Sequence, residues 1–221
     1  MKAFIFAMEK EATPLLNIIK VTNKETVAKK TIYHAEFKNK KFIIAVSGIG
    51  KVNAALTTAL LINKYKVTAV INVGLAGSCT WAKTQVGDTV LVTSTMQSDV
   101  DLRAIDPVEL GYMQDYNQSL FPAGTTNYFS ASKDCICATS DKFVTKELLS
   151  DPDIIKAKPA VFDMEAGAIN LVCYCFGVTS VIIKIVSDII DSDRDSDYNN
   201  NLKFALPKVL DAITSALNTI I

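Results

Sequence analysis

Histidine and arginine are nearly absent from this 221-residue chain: His34 is the only histidine, and Arg103 and Arg194 are the only arginines. One histidine leaves no material for a Ser/His/Asp or Cys/His nucleophilic centre, so acid–base chemistry has to rest on carboxylates. Two arginines argue against phosphate-backbone binding, and a formal net charge of zero gives no general pull toward nucleic acid or anionic lipid. No apolar run approaches the roughly 20 residues of a membrane span. The N-terminus starts like a signal peptide but meets Glu9 too early for an apolar h-region. These absences predict a cytoplasmic protein with no nucleic-acid or membrane partner, acting on a small neutral or zwitterionic ligand. The five cysteines, Cys79, Cys135, Cys137, Cys173 and Cys175, are an odd number, which speaks against a disulfide framework. Two C-x-C pairs depart from the usual zinc spacing, so buried, reduced thiols are expected and no metal site.

What is present is an ordinary globular composition, 49% hydrophobic and 21% charged, long enough for one continuous core. The pattern reads as strand 2–7, helix 9–19, a hairpin of 31–37 and 41–46 turning at Asn39-Lys40, and helix 51–64. Strands 67–73 and 88–94 follow, then an irregular segment 96–134 of the kind that binds ligands or partners. A strand 135–139, a helix from Ser140 onward, a helix 164–176, a strand 178–186 and a helix 199–220 complete the chain. Strands alternating with helices predict an α/β fold around a mostly parallel sheet, with residues 1–221 forming a single domain.

Three acidic signatures each close an apolar, strand-like run: Met8-Glu9-Lys10-Glu11, Phe162-Asp163-Met164-Glu165 and Ser187-Asp188. Open α/β sheets bind ligands at the carboxyl ends of their strands. Three carboxylates converging there bind a polyol, activate a water and protonate a leaving group, which is the equipment of a glycosidic hydrolase. Each signature also has a plainer reading. Glu9 and Glu11 in a first helical turn, and Asp163 and Glu165 in another, suit a helix dipole without any chemistry. An ionised carboxylate nevertheless accepts from two donors at once, which matches the paired hydroxyls of a ribose. Asp188 follows the most apolar strand, where desolvation suits a carboxyl to hold a proton, or it is a simple helix cap or loop residue.

Other motifs carry less. Gly48-Ile49-Gly50-Lys51 lacks the third glycine of a dinucleotide fingerprint and the Lys-Ser/Thr ending of a phosphate loop, so no cofactor is expected. Its glycines, like those of Gly74-Leu75-Ala76-Gly77, still allow close backbone approach to a ligand. The run from Asp191 to Asp197 lacks the glycine and the closing glutamate of a calcium loop.

Taken in order, Ala7-Met8-Glu9-Lys10-Glu11, Ser47-Gly48-Ile49-Gly50-Lys51-Val52, Asn72-Val73-Gly74-Leu75-Ala76-Gly77, Val86-Gly87-Asp88, Asp163-Met164-Glu165-Ala166 and Val186-Ser187-Asp188 make the chain resemble the 5′-methylthioadenosine/S-adenosylhomocysteine nucleosidases of the nucleoside phosphorylase superfamily. The resemblance implies a three-layer α/β/α sandwich around a twisted mixed sheet, a homodimer, and cleavage of the N-glycosidic bond of adenosine thioethers. It implies that Glu11 holds the attacking water, that Glu165 and the Met164 backbone contact ribose, and that Asp188, steadied by Ser187, protonates adenine. Phe143 then stacks on the purine and the Val144 backbone reads its exocyclic amine. Met8, Ile49 and Tyr198 border the ribose and alkylthio pocket, and Leu102 and Ile105 reach a partner's site. Ala76 and Gly77 also line the substrate site. Asp163 stands where the family usually has glutamate and Lys184 where arginine is common, so the polar network behind Glu11 and Glu165 is expected to differ. Alternatives are a related adenine nucleosidase acting on aminodeoxyfutalosine or 5′-deoxyadenosine, a phosphorylase of the superfamily, or a non-catalytic nucleoside-binding protein.

Overall fold

The computed structural model describes residues 1–124, 135–192 and 198–220, apart from the side chains of 198–200, 202, 219 and 220. The first half contains β1 (Lys2–Phe6), α1 (Glu9–Leu16), β2 (Lys20–Val27), β3 (Lys30–Phe37), β4 (Lys40–Val46), α2 (Lys51–Tyr65), β5 (Ala69–Ser78), β6 (Thr89–Val92) and β7 (Ser94–Gln97). The second half contains β8 (Phe121–Pro122), β9 (Ile136–Thr139), α3 (Pro152–Ala157), β10 (Val161–Asp163), α4 (Ala166–Phe176), β11 (Thr179–Ile189) and α5 (Tyr198–Ile220). One mixed sheet runs β2-β3-β4-β1-β5-β10-β9-β7-β8, with β11 on β5 and β6 beyond it.

The continuous apolar strands follow from helices covering both faces. In β1, Phe4 and Phe6 join a core with Ala12 and Leu15 of α1 and with Val209, Ile213 and Leu217 of α5. Ala3 and Ile5 point the other way, into a core with Leu61 and Ile62 of α2 and Ile169 and Cys173 of α4. Each Phe, Leu, Ile or Val among them, removed from water, contributes about 1.5–3 kcal/mol. The result is the α/β/α sandwich.

The sheet forks at β5. Its first residues pair in parallel with β1 as far as Ile5↔Asn72, while Gly77 and Ser78 pair antiparallel with β10. On that side Val73 to Ala76 pair with neither strand, and the opening becomes the floor of a cavity. On its other edge β5 pairs with β11 along its whole length. That support is why β5 continues as strand to Ser78, well past the predicted end at Val73.

Several other expectations are corrected. Helix α1 stops at Leu16 rather than at residue 19, and β2, unpredicted, follows as an exposed, polar edge strand with no apolar alternation to reveal it. The hairpin turns at Lys38-Asn39, with φ of 49° and 64°, the left-handed pair that a two-residue hairpin requires. The expected strand 88–94 is β6, which stops at Val92, and a second strand, β7, starts at Ser94 and runs to Gln97. No helix starts at Ser140: its hydroxyl donates to the Lys142 carbonyl, and the next α-helix is α3, capped by Asp151 accepting from the Asp153 N–H. Cys175 is exposed, unlike the other four cysteines. Among the described residues no helix is long and apolar enough to cross a membrane.

Candidate active site

Each of the three acidic signatures is placed by a different local device. Glu11 is the third residue of α1, where a capping box folds its side chain back over the helix start. Its Oε2 accepts the Met8 N–H at 3.0 Å, and its Oε1 accepts the Leu75 N–H at 3.0 Å. The second bond takes the place of a strand neighbour at the fork in the sheet. Glu11 is only 2% exposed. Burial pushes its carboxyl up from the ordinary 4.5, while the two backbone N–H groups and Lys184 pull it back. Glu9 instead points to the outside of the helix and accepts from the Tyr33 hydroxyl at 2.5 Å.

Asp163 ends β10 and is consumed by protein donors. Its Oδ1 takes the Thr139 hydroxyl at 2.5 Å and the Cys137 thiol at 3.4 Å. Its Oδ2 takes the Glu165 N–H at 3.2 Å, the Ala166 N–H at 2.8 Å and Lys184 Nζ at 2.7 Å. Five donors leave no lone pair for a ligand. Asp163 therefore ties down the N–H groups at the start of α4, which begins at Ala166 rather than at Met164. Burial opposes its charge, but Lys184 and these hydrogen bonds hold its carboxyl below the usual range. Lys184, 1% exposed on β11, lies behind the cavity wall, and its ammonium is fixed in the charged state by Asp163 despite the burial.

Glu165 is left free to face the cavity. Its Oε1 accepts the Gly50 N–H at 2.9 Å. Burial, then the neighbouring Asp163 charge, push its carboxyl from 4.5 up to about 7. Between those values the folded chain keeps a proton on Glu165 that the unfolded chain has released. This group's contribution to stability is therefore full below pH 4.5 and is lost as pH rises through about 7. Glu165→Gln is expected to flatten the fall in stability between pH 5 and pH 8 measured by urea unfolding, and an unchanged slope would contradict that titration.

Asp188 is aimed by a β-bulge. The register of β11 on β5 shifts between Val186 and Asp188, so the strand runs on to Ile189 instead of ending at Val186. A bulge of this kind re-aims one side chain without ending the strand. Ser187 lies within hydrogen-bond reach of the Ala76 carbonyl, at 3.2 Å, and of Asp188 Oδ1, at 2.6 Å. A Cβ on Gly77 would lie 3.3 Å from Asp188 Oδ2, so a glycine gives that oxygen its room.

One cavity gathers these groups. Of the residues expected from the sequence, Met8, Glu11, Ile49, Ala76, Gly77, Phe143, Val144, Asp163, Met164, Glu165, Ser187 and Asp188 line it. Lys184 supports it from behind. Leu102 and Ile105 do not line it, and Ile105 is 75% exposed on the irregular segment. Tyr198 opens α5, but its side chain lies outside the described residues, as do Arg194 and residues 193–197 of the acidic run. The sequence reading missed Ala7, Leu75, Lys142, Phe162 and Ile190 in the lining. It also missed Gly50 and Thr139, which hold Glu165 and Asp163 in place; only the fold brings them there. Among the described residues no cluster of His, Cys, Asp and Glu has the makings of a metal site.

Three buried carboxylates, an exposed aromatic ring and a glycine-floored wall form a site able to hold a hydroxylated, planar ligand. Comparisons with known proteins show which family the chain belongs to. Residues 2–221 match the model of the phosphorylase superfamily. The chain is 31% identical to a 5′-methylthioadenosine/S-adenosylhomocysteine nucleosidase of Bacillus licheniformis, over 99% of this chain and 98% of that protein. It is 28% identical to an aminodeoxyfutalosine nucleosidase of Helicobacter pylori, over 89% of each. Its fold superposes on the crystal structure of the Neisseria meningitidis 5′-methylthioadenosine/S-adenosylhomocysteine nucleosidase in complex with methylthio-immucillin-A, with a TM-score of 0.84, 28% identity, and coverage of 98% and 97%. The chain belongs to the phosphorylase superfamily and, within it, to the 5′-methylthioadenosine/S-adenosylhomocysteine nucleosidases.

Proposed function

We propose that this protein hydrolyses the N-glycosidic bond of 5′-methylthioadenosine and S-adenosylhomocysteine, releasing adenine and the 5-thioribose product. The observation that carries this reading is the convergence of Glu11, Glu165 and Asp188 on one cavity. In this reading Asp188, steadied by Ser187, gives a proton to N7 of adenine as the C1′–N9 bond breaks and its electron pair moves into the purine. Glu11 orients a water, takes its proton and directs its oxygen to C1′. Glu165 and the Met164 backbone bind the ribose hydroxyls, and the carboxylates stabilise the positive charge that develops on the ribosyl ring. Phe143 stacks on the purine beside the Val144 backbone, while Met8 and Ile49 wall the ribose and alkylthio end.

The whole chain acts as one nucleosidase domain, which the family match from 2 to 221 supports. Ile105, exposed and away from its own cavity, fits a homodimer in which it and Leu102 complete a partner's site. A cytoplasmic enzyme of methionine salvage is the setting this chemistry suits.

A phosphorolytic reaction is disfavoured by charge. Glu11 occupies the region where a phosphate dianion would have to bind, and Arg103 is engaged by Asp101, Asp151 and Asp153 outside the cavity lining. The aminodeoxyfutalosine nucleosidase relative keeps a second substrate in view, since the adenine and ribose contacts serve both. Purified protein is expected to release adenine from methylthioadenosine at the same rate with and without phosphate. Strict phosphate dependence sinks the hydrolase reading, and faster turnover of aminodeoxyfutalosine transfers the assignment to that substrate.

A further inference from the structure

The N-terminus of α2 has no cap of its own, because Gly50, the residue before it, carries no side chain. The Lys51 N–H donates instead to Asp141 Oδ1 at 2.7 Å, from the turn that follows β9. The Asp141 N–H is accepted in turn by Asp99 Oδ2 at 2.8 Å. Asp99 Oδ1 then faces Lys51 Nζ at 2.6 Å, and the same ammonium donates to Gln97 Oε1 at 3.1 Å. Lys51 thus enters a closed ring through both its backbone and its side chain. The Lys51 and Asp99 side chains are 16% and 21% exposed, so solvent screens this pair less than a fully exposed ion pair. A helix cap needs a single acceptor; the additional ion pair and the Asp141 N–H bond have another consequence.

On one side of the ring the Gly50 N–H reaches Glu165 Oε1. On the other, two residues beyond Asp141, Phe143 stands in the cavity lining. Lys51, Asp99 and Asp141 are not themselves part of that lining. A Cβ on Gly50 would come to 3.0 Å from Asp141 Oδ1, so the two loops are in direct contact. We propose that the Lys51–Asp99–Asp141 ring is a positioning device that holds the ribose-side loop 48–51 and the purine-side turn 140–144 in one frame. This rests on the nucleoside-binding reading above. Asp141 acts through Gly50 on Glu165, and Asp99 acts through Asp141.

The test combines hydrogen exchange with kinetics. Asp141→Ala removes the acceptor of the Lys51 N–H, and exchange at the Gly50 and Lys51 amides is expected to accelerate about tenfold or more in protein without nucleoside. For methylthioadenosine, kcat/KM is expected to fall about ten- to a hundredfold, as misplaced binding groups cause. Asp141→Asn keeps an acceptor oxygen and restores most of the loss. In a Glu165→Ala background, which removes the acceptor of the Gly50 N–H, the same Asp141→Ala change costs less than about threefold, because its route runs through Glu165. Should Asp141→Ala fold poorly, Asp99→Asn probes the ring one bond further away by the same readouts. Unchanged amide exchange, or equal losses in both Glu165 backgrounds, overturns the proposal. Exchange needs no substrate, so a wild-type protein that releases no adenine counts against the activity alone.

Discussion

Asp188→Asn lowers the rate of adenine release by about 10²–10⁴-fold while the protein stays folded, the span expected when a general acid is lost. The side chain sits on a bulged strand with Ser187 beside it, and both are nearly inaccessible. Asparagine has the same shape, and its amide oxygen can still accept the Ser187 hydroxyl, so packing and the bulge are retained. What it lacks is a proton to give. Without that proton the departing purine carries negative charge into an acidic site, where Glu11 and Glu165 raise its energy. The measurement is single-turnover adenine release from methylthioadenosine, paired with circular dichroism and a thermal melt. A rate within tenfold of wild type would remove Asp188 from the acid role.

Glu11→Gln is expected to produce a second loss of about 10²–10⁴-fold, now by taking away the base. The geometry adds a further cost. Both carboxylate oxygens of Glu11 accept backbone N–H groups, from Met8 and Leu75. A glutamine amide has one oxygen, so its NH2 must face one of those N–H groups, and a buried unsatisfied donor costs about 1–3 kcal/mol. Part of that is offset because a neutral amide escapes the burial that disfavours the Glu11 charge. Turnover should therefore fall far more than stability. Glu11→Asp makes the comparison sharper: it keeps the charge but is one methylene too short to span both donors. Turnover that survives in Glu11→Gln yet collapses in Glu11→Asp would make Glu11 a structural clamp rather than a base.

How much of this was legible beforehand depended on how local each cause was. The apolar runs of β1 and β11 announced buried strands because both faces of the sheet are covered. The amphipathic pattern of α2 gave its length to within a residue. In contrast, β2 is polar and exposed, and only its pairing with β3 makes it a strand. The turn after Ser140 looked helical but is held by side-chain bonds to α2 and to its own backbone. Asp163 and Glu165 looked alike on the page, two acids at a strand end, yet one is saturated by five protein donors and the other faces the cavity.

The order of residues determined which carboxylates sit at strand ends, that histidine chemistry is absent, and which family the chain resembles. Those are properties of composition and of neighbours a few positions apart. Tertiary structure alone decided how each carboxylate is used. Glu11 is set by an N–H 64 positions away, Glu165 by one 115 positions away, and Asp163 by a lysine on a different strand. A carboxylate's chemistry depends on its desolvation and on the donors around it, and folding supplies both.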